Sequence, residues 1–222
     1  MVRTIHSFIR RSGRITAAQQ RAWDTLWTRY GVSHEQQLDL DKLFCRSAAR
    51  HLEIGFGNGE ALLTMAKNHA EHDYLGIEVH RAGIGHLLLT LEAAQITNVR
   101  IICGDAVEIF QHSLPLASLD VVYLFFPDPW QKKRHHKRRL VQPEFINLLA
   151  QRMKSGGRIH LATDWQDYAE CMLQVFENSS EFSNCIAKAS FAPRAPERLI
   201  TKFEQRGLRL GHEVWDLCYQ RQ

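Results

Sequence analysis

From residue 50 to 164 the chain alternates short apolar, β-type runs with stretches of helical periodicity, and this alternation limits the fold more than any other feature. The candidate strands are HLEIG (51–55), DYLGIEV (73–79), VRIICG (99–104), LDVVYLFF (119–126) and GRIHLAT (157–163), with helices expected at 59–70, 80–95, 106–111 and 143–153. Strands rich in Ile, Val and Leu joined by helical crossovers imply a parallel sheet covered on both faces. Asp164 is placed to cap a further helix, in which Tyr168, Cys171, Met172, Val175 and Phe176 share one apolar face. Beyond 180 the texture changes: FSNCIAKASFA and HEVWDLCYQ read as closing strands, with RAPERLITKFEQRGLRL between them.

The first 23 residues hold five arginines and no acid, superficially like an organelle transit peptide, but without the apolar core of a secretory signal. Thr16-x-x-Gln19 fits a capping box, and Trp23, Leu26, Trp27 and Tyr30 follow as one helical stripe. A basic arm and docking helix over 1–40, ahead of a single domain over 41–222, account for both features; for 1–14 a disordered tail is the alternative. A chain of 222 residues, 45% apolar, can bury a sizeable core without staples. Its five cysteines are scattered without a C-x-x-C pair, so neither a disulfide framework nor a zinc ribbon is expected. No apolar run approaches the roughly 20 residues of a membrane span. A reduced, cytoplasmic protein is the expectation.

The formal charge of +4 conceals a strong pattern. Residues 1–50 sum to +5 and residues 51–131 to −7, while Lys132 to Arg139, reading KKRHHKRR, contribute +6. A solvated charge run or a nuclear localisation patch would have this composition, and so would a loop that meets a nucleic-acid backbone. His135 and His136 are adjacent and lack the i, i+4 spacing of a helical metal pair, so no metal is assigned.

The first strand runs into Gly55-Phe-Gly57-Asn-Gly59 and then a helix. Glycines there permit positive φ and close approach of a ligand, although turn glycines alone give the same pattern. The spacing is one residue tighter than the dinucleotide fingerprint G-x-G-x-x-G, and Glu53 stands two residues before it. An acid there repels a pyrophosphate but receives an ammonium group. Glu78 ends the second strand, where a carboxylate can accept both hydroxyls of a ribose, or simply be solvated. Asp105, after the third strand, suits an adenine amino group or an ordinary helix cap.

Phe126-Pro127-Asp128-Pro129-Trp130 ends the fourth strand, as a rigid turn or as a clamp that presents an acid. Its Trp and the cationic octapeptide behind it suggest stacking for an extruded base and cations for the backbone. Asp164 closes the fifth strand. Thr201-Lys202-Phe203-Glu204 carries no general motif and reads as surface loop.

Taken together, LEIGFGNG (52–59), GIEVH (76–80), GDA (104–106), FFPDPWQKKRHHKRRL (125–140), ATDW (162–165) and TKFEQRG (201–207) resemble the bacterial tRNA (guanine-N(7)-)-methyltransferases, which use S-adenosylmethionine. RRSGRITAAQQ (10–20) is similar to that family's basic entry segment, so the likeness spans nearly the whole chain. The resemblance implies an α/β, Rossmann-like class I methyltransferase: a seven-stranded, mostly parallel sheet with helices on both faces and a late antiparallel hairpin. It implies methyl transfer to N(7) of guanine in the variable loop of tRNA (position 46). Glu53, Gly55, Gly57, Gly59, Glu78, Asp105 and Asp128 would bind the cofactor, with Asp128 also catalytic. Lys132, Asp164, Thr201, Lys202, Phe203 and Glu204 would hold the target nucleoside. Arg134, His135, His136, Lys137, Arg138 and Arg139 would contact tRNA. The implied enzyme works as a monomer or homodimer without an obligatory protein partner. Two other classes compete: an NAD-dependent oxidoreductase, whose fingerprint spacing is missing, and a non-catalytic RNA-binding or cofactor-binding subunit of a larger methyltransferase complex.

Overall fold

The computed structural model describes residues 7–8, 15–194, 198, 204 and 213–222. In chain order the elements are α1 (Ala17–Tyr30), β1 (Gly31–Val32), α2 (Leu40–Phe44), β2 (Arg50–Ile54), α3 (Glu60–Asn68), β3 (Asp73–Glu78), α4 (Arg81–Ala93) and β4 (Val99–Cys103). They continue with α5 (Ala106–His112), β5 (Leu119–Phe125), α6 (Pro143–Arg152), β6 (Met153–Thr163), α7 (Gln166–Glu177), β7 (Phe182–Asn184) and β8 (Trp215–Arg221). The strands form one sheet in the order β1-β4-β3-β2-β5-β6-β8-β7. Pairing is parallel as far as β6, and β8 lies antiparallel between β6 and β7.

The α/β class, the parallel core and the late antiparallel pair are as expected, but eight strands replace seven. The addition is β1, whose two residues pair with Ile101 and Ile102. Two residues are too few for a period to announce.

Successive strand residues face opposite sides, and this parity builds two cores. Leu52, Ile54, Leu75, Ile77, Val122 and Leu124 join the core that takes in α5, α6 and α7. Tyr74, Ile101 and Tyr123 join the second, shared with α1, α3 and α4. All five residues of β2 are buried, as a central parallel strand requires.

Helix α1 begins at the expected capping box: the Gln19 amide donates to Thr16 Oγ1 at 3.2 Å, and the Thr16 amide to Gln19 Oε1 at 2.9 Å. Tyr30 is buried in the second core, and Trp23, Leu26 and Trp27 pack against it. Trp23 Nε1 donates to the Arg81 carbonyl at 3.0 Å, tying α1 to the start of α4. Helix α7 buries Tyr168, Met172 and Phe176, but its cap is Trp165 and not Asp164 as expected. No described helix is long and apolar enough to cross a membrane.

Candidate active site

From β2 the chain builds β3 and β4 on one side, then returns to place β5 and β6 on the other. The carboxyl ends of β2 and β5, adjacent at Ile54 and Leu124, therefore form the switch point where open α/β sheets take ligands. Two cavities open there, of about 1390 Å³ and about 250 Å³, and Gly55, Phe125, Phe126, Pro127 and Asp128 line both.

The loop after β2 holds Gly55, Gly57 and Gly59 at φ of 72°, 57° and 79°. A side chain at Gly55 or Gly57 would point into open space, which leaves the backbone accessible from the cavity. Glu78 fastens this loop: its carboxylate accepts from the Gly57 amide at 2.8 Å, the Val79 amide at 2.6 Å and the His80 amide at 3.0 Å. Glu53 is buried at the large cavity, and its Oε2 has no hydrogen-bond partner. Burial, reinforced by the nearby Glu78 charge, pushes its pKa up to about 8. A buried carboxyl oxygen without a partner, beside an accessible glycine loop, fits a ligand that brings an ammonium group, as S-adenosylmethionine does. Asp105 caps α5, accepting from the Val107 amide at 2.9 Å, while its neighbours Gly104 and Ala106 line the small cavity.

In the turn after β5, Phe126 and Trp130 both adopt left-handed backbone, φ 51° and 47°, on either side of Pro127-Asp128-Pro129. Such a conformation is disfavoured away from glycine and recurs at functional sites. The turn exposes Asp128 at the junction of the two cavities. Trp130 is not free to stack on a base as expected. Its ring is buried, the Arg138 guanidinium lies 3.7 Å from its centroid, and its Nε1 donates to the Ser7 carbonyl at 2.9 Å.

Lys133–Arg138 of the octapeptide form a 3-10 helix. Its cations divide into two sets. Lys132, Lys133, Arg134 and Lys137 are exposed and His135 and His136 half-buried. Arg138 covers Trp130 and donates to the Phe8 carbonyl at 3.2 Å. Arg139 is buried: it donates to the Pro129 carbonyl at 2.9 Å, pairs with Asp167 and lies over the Tyr168 ring at 4.8 Å. It fastens the octapeptide to α7 and does not offer its guanidinium to solvent, contrary to its expected RNA contact. Desolvation and the surrounding Arg134 and Arg138 hold the His135 pKa below its ordinary value.

Asp164, relieved of capping, lines the large cavity together with Asp128. Thr201, Lys202 and Phe203 lie outside the described residues. Glu204 is buried, but against Arg198, which donates to its two oxygens at 2.6 and 2.8 Å. The same guanidinium donates to both oxygens of Asp216 at 2.8 and 3.0 Å. Burial raises the Asp216 pKa against the opposing pull of Arg198. Arg198, Glu213 and Trp215, which no sequence motif marked, also line the cavity. Among the described residues, seven acidic side chains and one arginine line the cavity, a setting that favours a cationic ligand over a pyrophosphate.

A family model described as "Putative methyltransferase" matches residues 47–217. The chain is 54% identical over 222 residues to the tRNA (guanine-N(7)-)-methyltransferase of Alkalilimnicola ehrlichii, covering 99% of this chain and 93% of that one. It is 54% identical over 220 residues to the enzyme of the same description from Halorhodospira halophila, covering 98% and 95%. Among solved structures, the 16S rRNA methyltransferase KamB superposes with a TM-score of 0.63 at 14% identity, covering 86% of this chain and 97% of that one. At that identity the likeness is one of fold.

Proposed function

The chain belongs to the family of bacterial tRNA (guanine-N(7)-)-methyltransferases, and on that premise we propose that it methylates N(7) of a guanine in the tRNA variable loop, as a cytoplasmic enzyme needing no obligatory protein partner. The observation that carries this reading is Glu53: a buried carboxyl group whose Oε2 has no hydrogen-bond partner, in an acid-lined cavity at the switch point. An oxidoreductase that binds NAD would have to place a pyrophosphate in the same acidic field. A non-catalytic subunit has no use for an acid-presenting turn strained at both ends.

When bound, S-adenosylmethionine supplies an electrophilic methyl carbon, and transfer to the N(7) lone pair leaves the positive charge on the purine. Glu53 would receive the cofactor's ammonium group, and Gly55, Gly57 and Gly59 would let its backbone lie close. Beyond its three amide contacts Glu78 keeps about one of a carboxylate's roughly four lone-pair sites, enough to accept from one ribose hydroxyl. Asp105 would accept from the adenine amino group. N(7) of guanine carries no proton, so no general base is needed; the protein's work is alignment and electrostatics. Asp128 and Asp164 lie on the cavity wall, where a carboxylate favours the purinium ring and matches the two donors of guanine's Watson–Crick edge. Lys132 and Thr201 to Phe203 are assigned to the nucleoside. Glu204 would act by holding Arg198 in the cavity wall.

Amide substitutions separate these roles. Asp128→Asn and Asp164→Asn should each lower methyl transfer to tRNA about a hundredfold. Cofactor affinity should survive for whichever acid reads the base. Full turnover in Asp128→Asn would remove its catalytic assignment.

A further inference from the structure

An extruded guanine needs an aromatic face, and the tryptophan expected to offer one, Trp130, is covered by Arg138. We propose that Trp165 stacks on the target guanine; the inference rests on the methyltransferase reading above. The aromatic residues of the large cavity narrow the choice. Phe56 is buried, Phe125 packs against Tyr123 at 5.6 Å, the Arg198 guanidinium stands 5.5 Å from the Phe126 centroid, and Trp215 is half-buried in β8, paired with Thr163. Trp165 is 36% exposed, the one aromatic among the exposed large apolar side chains of the described residues. It lines the cavity directly after Asp164.

Its backbone is held firmly, which makes it a platform and not a loose surface residue. The Trp165 amide donates to Thr163 Oγ1 at 3.3 Å, and its carbonyl accepts from the Tyr168 and Ala169 amides at 3.0 and 2.9 Å. Asp164, one residue earlier, can take the base edge while the indole takes its face. Methylation also makes the purine cationic, and an indole binds a cation over its face better than a neutral ring. Stacking on Trp165 would therefore strengthen as the methyl group arrives, the condition under which binding raises kcat and not merely affinity.

The test compares Trp165→Phe, Trp165→Ala and Trp215→Ala with wild type, using an unmodified tRNA transcript under single-turnover conditions. Trp165→Ala should lower kcat/KM about tenfold to a hundredfold. Much of the loss should fall on the rate at saturating tRNA, with S-adenosylmethionine affinity and thermal midpoint unchanged. Trp165→Phe should recover most of the rate, because it restores a stacking face. Wild-type rates in Trp165→Ala, or a loss confined to Trp215→Ala, would overturn the assignment. Absence of methyl transfer in the wild-type protein would instead overturn the functional reading on which it rests.

Discussion

Glu53, one residue before the end of β2, and Glu78, the last of β3, lie on adjacent parallel strands, yet Glu78 accepts three backbone amides while Glu53 Oε2 has no partner. With its pKa near 8, Glu53 is mostly protonated in the free protein at pH 7. An ammonium group arriving beside it favours the carboxylate, so binding of S-adenosylmethionine should release close to one proton at pH 7. Calorimetry in buffers of different ionisation enthalpy measures that number directly. In Glu53→Gln the release should vanish and affinity fall at least tenfold. A binding enthalpy independent of buffer would contradict the ammonium role.

Glu53 and His51 should also make opposing contributions to stability. The raised pKa of Glu53 gives stability that is full below about 4.5 and is lost as pH rises through about 8. Burial, and then the neighbouring His72, push the His51 pKa down to about 4, so its contribution is full above 6.5 and is lost as pH falls toward 4. The linkage is worth about 5 kcal/mol for Glu53 and about 3 kcal/mol for His51. Between pH 4.5 and 6.5 the two slopes oppose each other in the wild type. Glu53→Gln should therefore lose stability as pH falls from 6.5 to 4, while His51→Gln should gain it as pH falls from 8 to 4.5. Denaturant midpoints across pH test this; slopes of the same sign in the two variants would refute it.

The octapeptide should separate into affinity and architecture. Replacing the exposed Lys133, Arg134 and Lys137 with alanine should flatten the log–log salt dependence of tRNA binding by about 2–3, at an unchanged thermal midpoint. Arg139→Met should instead cost about 2 kcal/mol of stability, because it removes the buried link from Pro129 to Asp167. An unchanged salt slope in the triple variant would dismiss the phosphate-contact role.

Arg198 joins Glu204 to Asp216 with four hydrogen bonds. Arg198→Met leaves two buried carboxylates facing each other and should cost about 3–5 kcal/mol. Arg198→Lys should recover little, since an ammonium cannot reproduce two bidentate contacts. Adding Glu204→Gln and Asp216→Asn to Arg198→Met should restore part of the loss. Chemical denaturation measures all of these, and a cost under 0.5 kcal/mol for Arg198→Met would show the network to be energetically idle.

What was legible in the chain followed from local rules. Runs such as Ile101–Cys103 and Val121–Leu124 are apolar because both sheet faces are covered, so their strands and crossovers are legible directly. What escaped depends on contacts between distant residues. Arg139 looks like its cationic neighbours in sequence, and only the nearness of Asp167 and Tyr168 makes it a buried anchor. Trp130 reads in sequence as an open stacking face, but Arg138 and the Ser7 carbonyl lie against it. Arg198 lies 18 residues from Asp216 and carries no local pattern, so its place in the cavity wall had no signal. Asp164 was a credible cap, but α7 begins one residue later, and that shift returns its carboxylate to the cavity.

The most direct measurement is the position of the methyl group. The purified chain is incubated with unmodified tRNA and labelled S-adenosylmethionine, and the RNA is then cleaved chemically at N(7)-methylguanosine. The account predicts cleavage at one guanine of the variable loop, dependent on Asp128 and on the cofactor. Label at another base or another ring atom, or no label without a second protein chain, would contradict it.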